Sequence, residues 1–412
     1  MHLLIWDRRP QGTGAARHSS WYHQSMQLQP STLLACPGEG EIRDYYDEVF
    51  RKGGKELADT IEVRVKRGEE GGKSHWLLEK SVHAKRPLKE GEIVFIEDPL
   101  VSMQHVENAE GIHCCDGCLR FADADGPVCC RVGRVVTRFC EDCRMSTAAL
   151  VHRRYMCGAC NEKGALAALE VFYELAADTN DIFILAAKLL ANVMHRAKAT
   201  KTLEEAWQPY AMGYKMLWWE SVARPEDVPE DEEVAFRADL RELASDAFDA
   251  FCVAVQESSP EDYERYRGNL LSLDVWGSVI GMFELNNLSI LARGPVGKDE
   301  GDQEDDRDEC GNDELSEDRY YEDLVEGSGF YRLHSCFNHS CDPNCRVLVP
   351  RDDTENSKAI VETLRDIERG EELTFSYLED ETEPYQVRQD QLRDYGFECR
   401  CAKCLLELEF CV

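Results

Sequence analysis

The residues with the plainest chemical content are cysteines set close enough to share an ion. Cys115-x-x-Cys118 and Cys140-x-x-Cys143 can together supply four thiolates to one tetrahedral zinc site. Near the C-terminus, Cys399-x-Cys401-x-x-Cys404 places three more at tight spacing, one short of a closed site, so a fourth ligand must come from elsewhere. Between these clusters lies SCFNHSCDPN, residues 335–344. Its Asn, His, Ser and Asp side chains can bond local backbone and a polar ligand, while Pro343 sets a turn. Taken alone, the pair Asn338-His339 reads more readily as a structural turn than as a ligand site. Further on, GEELTFSY at 370–377 alternates Leu373, Phe375 and Tyr377, the pattern of a strand with one buried face, and Tyr395-Gly396-Phe397 follows.

The composition says where such cysteines can work. Of 19 cysteines in 412 residues, nine fall in 114–160 and seven in 336–411. A secreted disulfide framework is normally a short chain with a signal peptide. Residues 1–30 offer only a brief apolar stretch at 3–6, so zinc thiolates in an intracellular protein are the preferred reading, with disulfides or a surplus of buried cysteine as the alternative. Residues 1–40 are nearly free of acid and read as a disordered tail, with a transit peptide as the alternative. No apolar run is long enough to span a membrane. Lys and Arg number 47 against 80 Asp and Glu, a formal charge of −33, which argues against a DNA-binding surface built on phosphate contacts.

The elements that must position these residues fall into two β regions around a helical middle. Residues 41–56 predict an amphipathic helix with Tyr45, Tyr46, Val49 and Phe50 on one face, and strands follow at 61–65 and 92–97. Residues 181–197 (DIFILAAKLLANVMHRA) are apolar nearly all round and predict a buried helix; helical character continues through Trp207, Trp218 and Trp219 and over 234–255. Residues 298–323 hold 14 acidic residues against three basic ones and predict a disordered acidic insertion. From Gly327 strand character returns. No Ser/His/Asp constellation is evident along the chain.

At this point the chain resembles the SET-domain protein lysine methyltransferases, within them the split-SET group with a MYND zinc finger, and most closely its plant trithorax-related members. Five blocks carry the resemblance: GEIVFIEDPL at 91–100, GMFELNNLSI at 281–290, NHSCDPN at 338–344, GEELTFSY at 370–377 and YGFECRCAKC at 395–404. It implies an α+β fold, a small-sheet SET β structure split by a zinc finger and a helical insertion and closed by a zinc-bound post-SET segment. The implied division is a tail over 1–40, the first SET part over 41–110, the finger over 111–160, the helical insertion over 161–280, the SET core over 281–380 and the post-SET segment over 381–412. It further implies that Asn286, Asn338, His339, Tyr395 and Phe397 serve S-adenosylmethionine and the adjoining lysine channel. Tyr377 would be the catalytic tyrosine, and Cys341 the fourth zinc ligand beside Cys399, Cys401 and Cys404. Cys115, Cys118, Cys140 and Cys143 would form one finger site, and Cys130, His152 and Cys157 part of a second.

Two departures accompany the resemblance. Gly133 stands where a Cys-x-x-Cys pair would place the second finger site's fourth ligand, leaving Cys129, Cys160 or an empty site as the alternatives. Where the family carries a Gly-x-Gly turn, this chain has Glu79 and Ser81 within EKSVHA at 79–84. The resulting expectation is a lysine N-methyltransferase acting on a histone tail or another basic protein, a monomer of the nucleus or cytoplasm, without sequence-specific nucleic acid binding or membrane attachment. The alternative is a catalytically weak SET/MYND scaffold or chromatin-associated interaction module.

Overall fold

The computed structural model describes residues 32–67, 78–107, 114–121, 130–161, 163–225, 228–293, 324–351 and 353–410. The expected acidic insertion at 298–323 and the tail over 1–31 lie outside the described residues. From Thr32 the chain belongs to the fold rather than to a tail: Thr32–Leu34 forms a 3-10 turn, Leu33 is buried, and Trp207 Nε1 donates to the Leu33 carbonyl at 2.8 Å. A buried indole N–H needs an acceptor, so this bond anchors the entry of the chain.

Three small sheets, a two-stranded finger hairpin and a helical block make up the architecture. Helix α1 (Glu39–Gly53) buries Tyr45, Tyr46 and Phe50 of the expected face together with Ile42, while Val49 is half-buried, and α2 (Lys55–Thr60) leads into β1 (Ile61–Arg67). Strand β1 pairs antiparallel with β2 (Leu78–Ala84) in the register Ile61 to Ala84. Strands β3 (Ile93–Glu97) and β4 (Val101–Gln104) follow, then the finger hairpin β5 (Cys130–Val132) and β6 (Val135–Thr137). Gly133 sits in that hairpin's turn with φ +55°, a conformation that glycine reaches without steric cost, so a cysteine is disfavoured there.

The helices run α3 (Thr147–Tyr155), α4 (Lys163–Asp178), α5 (Ile182–Arg196), α6 (Leu203–Ala211), α7 (Trp218–Ser221), α8 (Glu233–Ser258), α9 (Pro260–Tyr266) and α10 (Leu273–Asn286). Ten side chains of α5 are buried, among them Phe183, Leu185, Leu189, Leu190 and Met194, which explains a sequence apolar on every side. Each such large apolar side chain contributes about 1.5–3 kcal/mol by leaving water. A Cβ on Gly281 in α10 would stand 2.1 Å from the Met216 carbonyl oxygen, so only glycine lets that helix approach residues 212–218 so closely.

After α10 come β7 (Asn287–Arg293), β8 (Leu324–Phe330), β9 (Asn338–His339), β10 (Cys345–Val347), β11 (Ala359–Thr363), β12 (Glu372–Phe375), α11 (Tyr385–Leu392) and α12 (Ala402–Phe410). Strand orders are β1-β2-β12-β9, β10-β11-β3 and β4-β8-β7. Each sheet joins strands from before and after the helical block, so the N- and C-terminal β regions form one unit. Mixed helix and small, mainly antiparallel sheets make the chain α+β.

Candidate functional site

Strand β9 lies parallel to β12, with Asn338 opposite Thr374 and His339 opposite Phe375. Two side chains lock that pairing. The buried amide of Asn344 donates to the Glu372 carbonyl and accepts from Thr374 N, both at 2.8 Å. His339 Nδ1 accepts from the Tyr377 backbone N–H at 2.9 Å, and its Nε2 lies 3.2 Å from Cys341 Sγ. An Nδ1 that accepts leaves the proton on Nε2, so the ring is the neutral tautomer. Burial, with Arg388 nearby, pushes its pKa down to about 4. The carboxylate of Glu97, at the end of β3, accepts backbone N–H bonds from Arg332, Leu333 and His334 and holds the approach to this motif.

Tyr377 follows β12, two residues past its end. Its hydroxyl donates to the Phe337 carbonyl at 2.5 Å. Its ring centroid stands 5.0 Å from Tyr395, 5.3 Å from His339 and 6.3 Å from Phe397. Burial raises its pKa, so the phenol stays protonated. Asn338 and Phe397 are exposed, and Asn338 Nδ2 donates to Glu372 Oε1 at 2.8 Å. Tyr377 and Tyr395 also line a cavity of about 540 Å³ whose wall includes Phe283, Glu284, Asn287, Ser289 and Ser328. Tyr377 therefore belongs both to the cavity wall and to the ring cluster around Asn338-His339.

The cavity's charge is one-sided. Glu107, Asp178, Asp181, Glu284, Glu326 and Glu379 line it, and among the described residues no lysine or arginine does. His105 is among its walls: Nδ1 lies 3.0 Å from Asp181 Oδ2 and Nε2 lies 3.3 Å from Ser328 Oγ. Burial alone would lower the His105 pKa, but Asp181, with Glu326 and Glu107, outweighs it and leaves the pKa raised. The sequence read as lacking a Ser/His/Asp constellation, and tertiary contact brings these three together from β8, the end of β4 and the start of α5. The spacing of the three in the chain carried no signal for this. The chain also ties α5 to the sheet, since Asp181 accepts from Val106 N at 3.0 Å.

Asn286 ends α10. Its amide donates to the carbonyls of Tyr214 at 2.9 Å and Met282 at 2.7 Å, and its oxygen accepts from Tyr214 N at 3.4 Å. Both amide hydrogens are thus committed to backbone, which leaves only lone-pair capacity for a ligand. At the place of the expected Gly-x-Gly turn, β2 is a continuous strand: Ser81 pairs with Arg64, and its buried hydroxyl lies 3.0 Å from His83 Nε2. His83 Nδ1 donates to the Gly370 carbonyl at 3.1 Å, so Nε2 accepts from Ser81.

The cysteines gather into the expected sets. Cys341, Cys399, Cys401 and Cys404 have ligand atoms all within 4.8 Å of one another, as do Cys115, Cys118, Cys140 and Cys143. Cys341 Sγ lies 3.8 Å from Cys399 Sγ and 3.6 Å from Cys404 Sγ, and Cys118 Sγ lies 3.8 Å from Cys140 Sγ. These separations far exceed a disulfide bond. They match the edge of about 3.8 Å that four sulfurs at the Zn–S distance form around a tetrahedral ion. Arg388 and Gln389 on α11 donate to Cys404 Sγ at 3.6 and 3.4 Å, and Gly117 N and Cys140 N donate to Cys115 Sγ at 3.4 and 3.3 Å, partners suited to thiolates. Both sets fit zinc. Cys130, His152 and Cys157 form a third, fully buried group, and the buried His152 Nε2 has no hydrogen-bond partner, as a nitrogen directed at a metal would. Cys160, exposed, makes a side-chain contact with Cys157, whereas Cys129 lies outside the described residues.

Residues 79–378 match the SET domain family, well over half of the chain. Histone-lysine N-methyltransferase ATXR2 of Arabidopsis thaliana is 35% identical over 305 residues, which are 68% of this chain and 62% of the relative. Protein-lysine N-trimethyltransferase SMYD5 of Gallus gallus is 25% identical over 394 residues, covering 80% and 84% of the two chains. Histone-lysine N-methyltransferase SMYD3 of Homo sapiens is 44% identical over 79 residues, 19% of this chain and 17% of the relative. This chain thus spans less than two thirds of the length of ATXR2. The matched residues run from β2 through Tyr377 and enclose the motif strand, most of the cavity wall and both finger clusters, so the chain belongs to the SET domain family.

Proposed function

We propose that this protein is an S-adenosylmethionine-dependent protein lysine N-methyltransferase whose substrate is a histone tail or another basic protein. The observation that carries the reading is Tyr377, which joins the Asn338-His339 cluster to a cavity lined by six carboxylates and, among the described residues, no lysine or arginine. When bound, S-adenosylmethionine supplies a methyl group on a cationic sulfur. Asn338, His339 and Phe397, with Tyr395, are the residues this reading assigns to holding it.

The chain's own contribution is orientation and exclusion of water. The protonated Tyr377 hydroxyl gives its hydrogen to Phe337 O, which leaves its lone pairs free to accept from a lysine amine entering the cavity. A lysine must lose its proton before its nitrogen can attack, and enclosure favours the neutral amine. The carboxylates of the wall work the other way and attract the ammonium form, so the amine must release its proton to solvent before it aligns beside Tyr377. Alignment of the amine is then the main source of rate.

A second reading, a weak catalyst acting as a scaffold, is favoured by one observation: Ser81 fills with a buried side chain the place of a family glycine. Incubation of the purified protein with labelled methyl donor and core histones separates the two. Label transfer that Tyr377→Phe abolishes supports the enzyme; absence of cofactor binding by calorimetry sinks it and leaves the scaffold. The reading extends to a monomer in the nucleus or cytoplasm, tested by sedimentation and by imaging of a tagged chain.

A further inference from the structure

The cavity is larger than one lysine side chain requires. Pockets of 300–1,000 Å³ hold ligands of several functional groups, and at about 540 Å³ this one has room beyond the amine that must reach Tyr377. What the surplus space would hold is written in its wall. Glu284, in the last turn of α10, is enclosed by protein yet keeps accessible surface, because it faces the cavity. One oxygen accepts from Trp218 Nε1 at 3.1 Å, which fixes the carboxyl in place. Trp218 is itself completely buried, so this support is rigid. Three residues on, Asn287 opens β7 in the same wall, and its Oδ1 is buried with no hydrogen-bond donor.

The Glu284 carboxylate thus faces an enclosed space with one hydrogen-bond donor, whereas Asn287 Oδ1 has no surface open to it. Burial pushes the Glu284 pKa up to about 7, the cost of holding a carboxylate where nothing cationic answers it. Leaving buried acceptors short of donors is unfavourable, and native structures seldom tolerate it without a ligand or water to complete the set. An acidic or apolar side chain would not relieve it, and a neutral donor would leave the carboxylate's charge unanswered. A guanidinium has five donors in a fork that matches a carboxylate, and an ammonium can meet it as a point charge. The other carboxylates of the wall bias the whole cavity toward cations in the same sense.

We propose that Glu284 forms a subsite for a second basic side chain of the substrate, adjacent in the peptide to the lysine directed at Tyr377, with arginine the better fit. The subsite rests on the reading of the cavity as the lysine-substrate site. Glu284 would act as a specificity determinant: it grips the flanking residue and takes no part in methyl transfer.

The test is a binding measurement that does not need turnover. Four fluorescein-labelled peptides, Ala-Arg-Lys-Ala, Ala-Lys-Lys-Ala, Ala-Ala-Lys-Ala and Ala-Glu-Lys-Ala, and their order-reversed partners are titrated against the zinc-loaded full chain by anisotropy. Tighter binding of the Arg-containing peptide than of the Ala-Ala peptide, by about tenfold, is expected, as befits one buried charge-assisted contact. The lysine peptide should fall between them. Glu284→Gln, which keeps an acceptor for Trp218, should bring the Arg-peptide affinity down to the Ala-Ala value, and Glu284→Asp should restore part of the difference. Melting curves of both variants verify the fold. Equal affinity of the wild type for the Arg, Ala and Glu peptides overturns the subsite, as does a preference for Arg that survives Glu284→Gln. Loss of methyl transfer in Tyr377→Phe with the Arg preference intact keeps the enzyme reading and the subsite separate. Discrimination by a chain that transfers no methyl at all would uphold the subsite while the enzyme reading falls.

Discussion

Nδ1 of His339 accepts the backbone N–H of Tyr377 at 2.9 Å, so a residue of the SCFNHSCDPN motif holds the residue that faces the cavity. The two stand 38 positions apart in the chain. Replacing the histidine and replacing the tyrosine should therefore have different effects. His339→Ala leaves a buried N–H without its acceptor and should cost about 1–3 kcal/mol of stability. Tyr377→Phe deletes only the hydroxyl bond to Phe337 O and should melt within about 1 kcal/mol of the parent. It should lose methyl transfer by at least about 100-fold, because amine alignment fails. Thermal denaturation beside single-turnover transfer distinguishes the two variants; a Tyr377→Phe chain with full transfer would remove Tyr377 from the catalytic role.

Asn344 is the buried cross-link between the motif and β12. Asn344→Ala leaves the Thr374 N–H and the Glu372 carbonyl without partners, for a loss of about 2–4 kcal/mol. Hydrogen exchange should show the protection lost first at Thr374. Protection unchanged there would mean that the β9–β12 pairing stands without the amide.

Metal content tests the three cysteine groups. Mass spectrometry of the native chain should return two zinc per chain from the four-cysteine sets, and a third if the group around His152 is filled. Cys404→Ser should lower the count by one and free α11, whose Arg388 and Gln389 donate to that sulfur. A metal-free chain that keeps its melting temperature would overturn both four-cysteine assignments.

Asp262 provides the acid limb of stability. Burial alone would raise its pKa, but hydrogen bonds from Lys198, Ser259, Tyr155 and Arg154 outweigh that and hold it well below the usual carboxylate range. A group whose folded pKa lies below its unfolded one stabilises fully above the unfolded value, about 3.9, and loses that contribution as pH falls toward the folded value. Denaturant melts between pH 6 and pH 2 should show a fall in stability that Asp262→Asn removes. At pH 7 the same variant should cost about 3 kcal/mol, since it leaves Arg154 and Lys198 without their shared anion. Parallel pH profiles for parent and variant would refute the linkage.

Where function leans on short spacing, the chain's sequence is explicit. The Cys-x-x-Cys pairs, the late Cys-x-Cys-x-x-Cys run, the apolar helix around residues 182–196 and the alternation ending at Tyr377 are local patterns, and each has its physical reason within one turn or one strand. By itself the sequence determined the ligand types, the α+β character and the candidate tyrosine. Its reach ended where meaning depends on residues brought from far apart. Asp181, His105 and Ser328 meet only because β4, α5 and β8 pack together, and Glu284 faces a cavity only because α10 runs tightly past residues 212–218 at Gly281. Only the tertiary structure decided that Leu33 packs into the core, that β2 runs unbroken through Ser81, and that carboxylates from α4, α5, α10 and β8 converge on one wall. The reason is common to all of these: a side chain's environment is set by burial and by partners distant in sequence, and no local spacing encodes either.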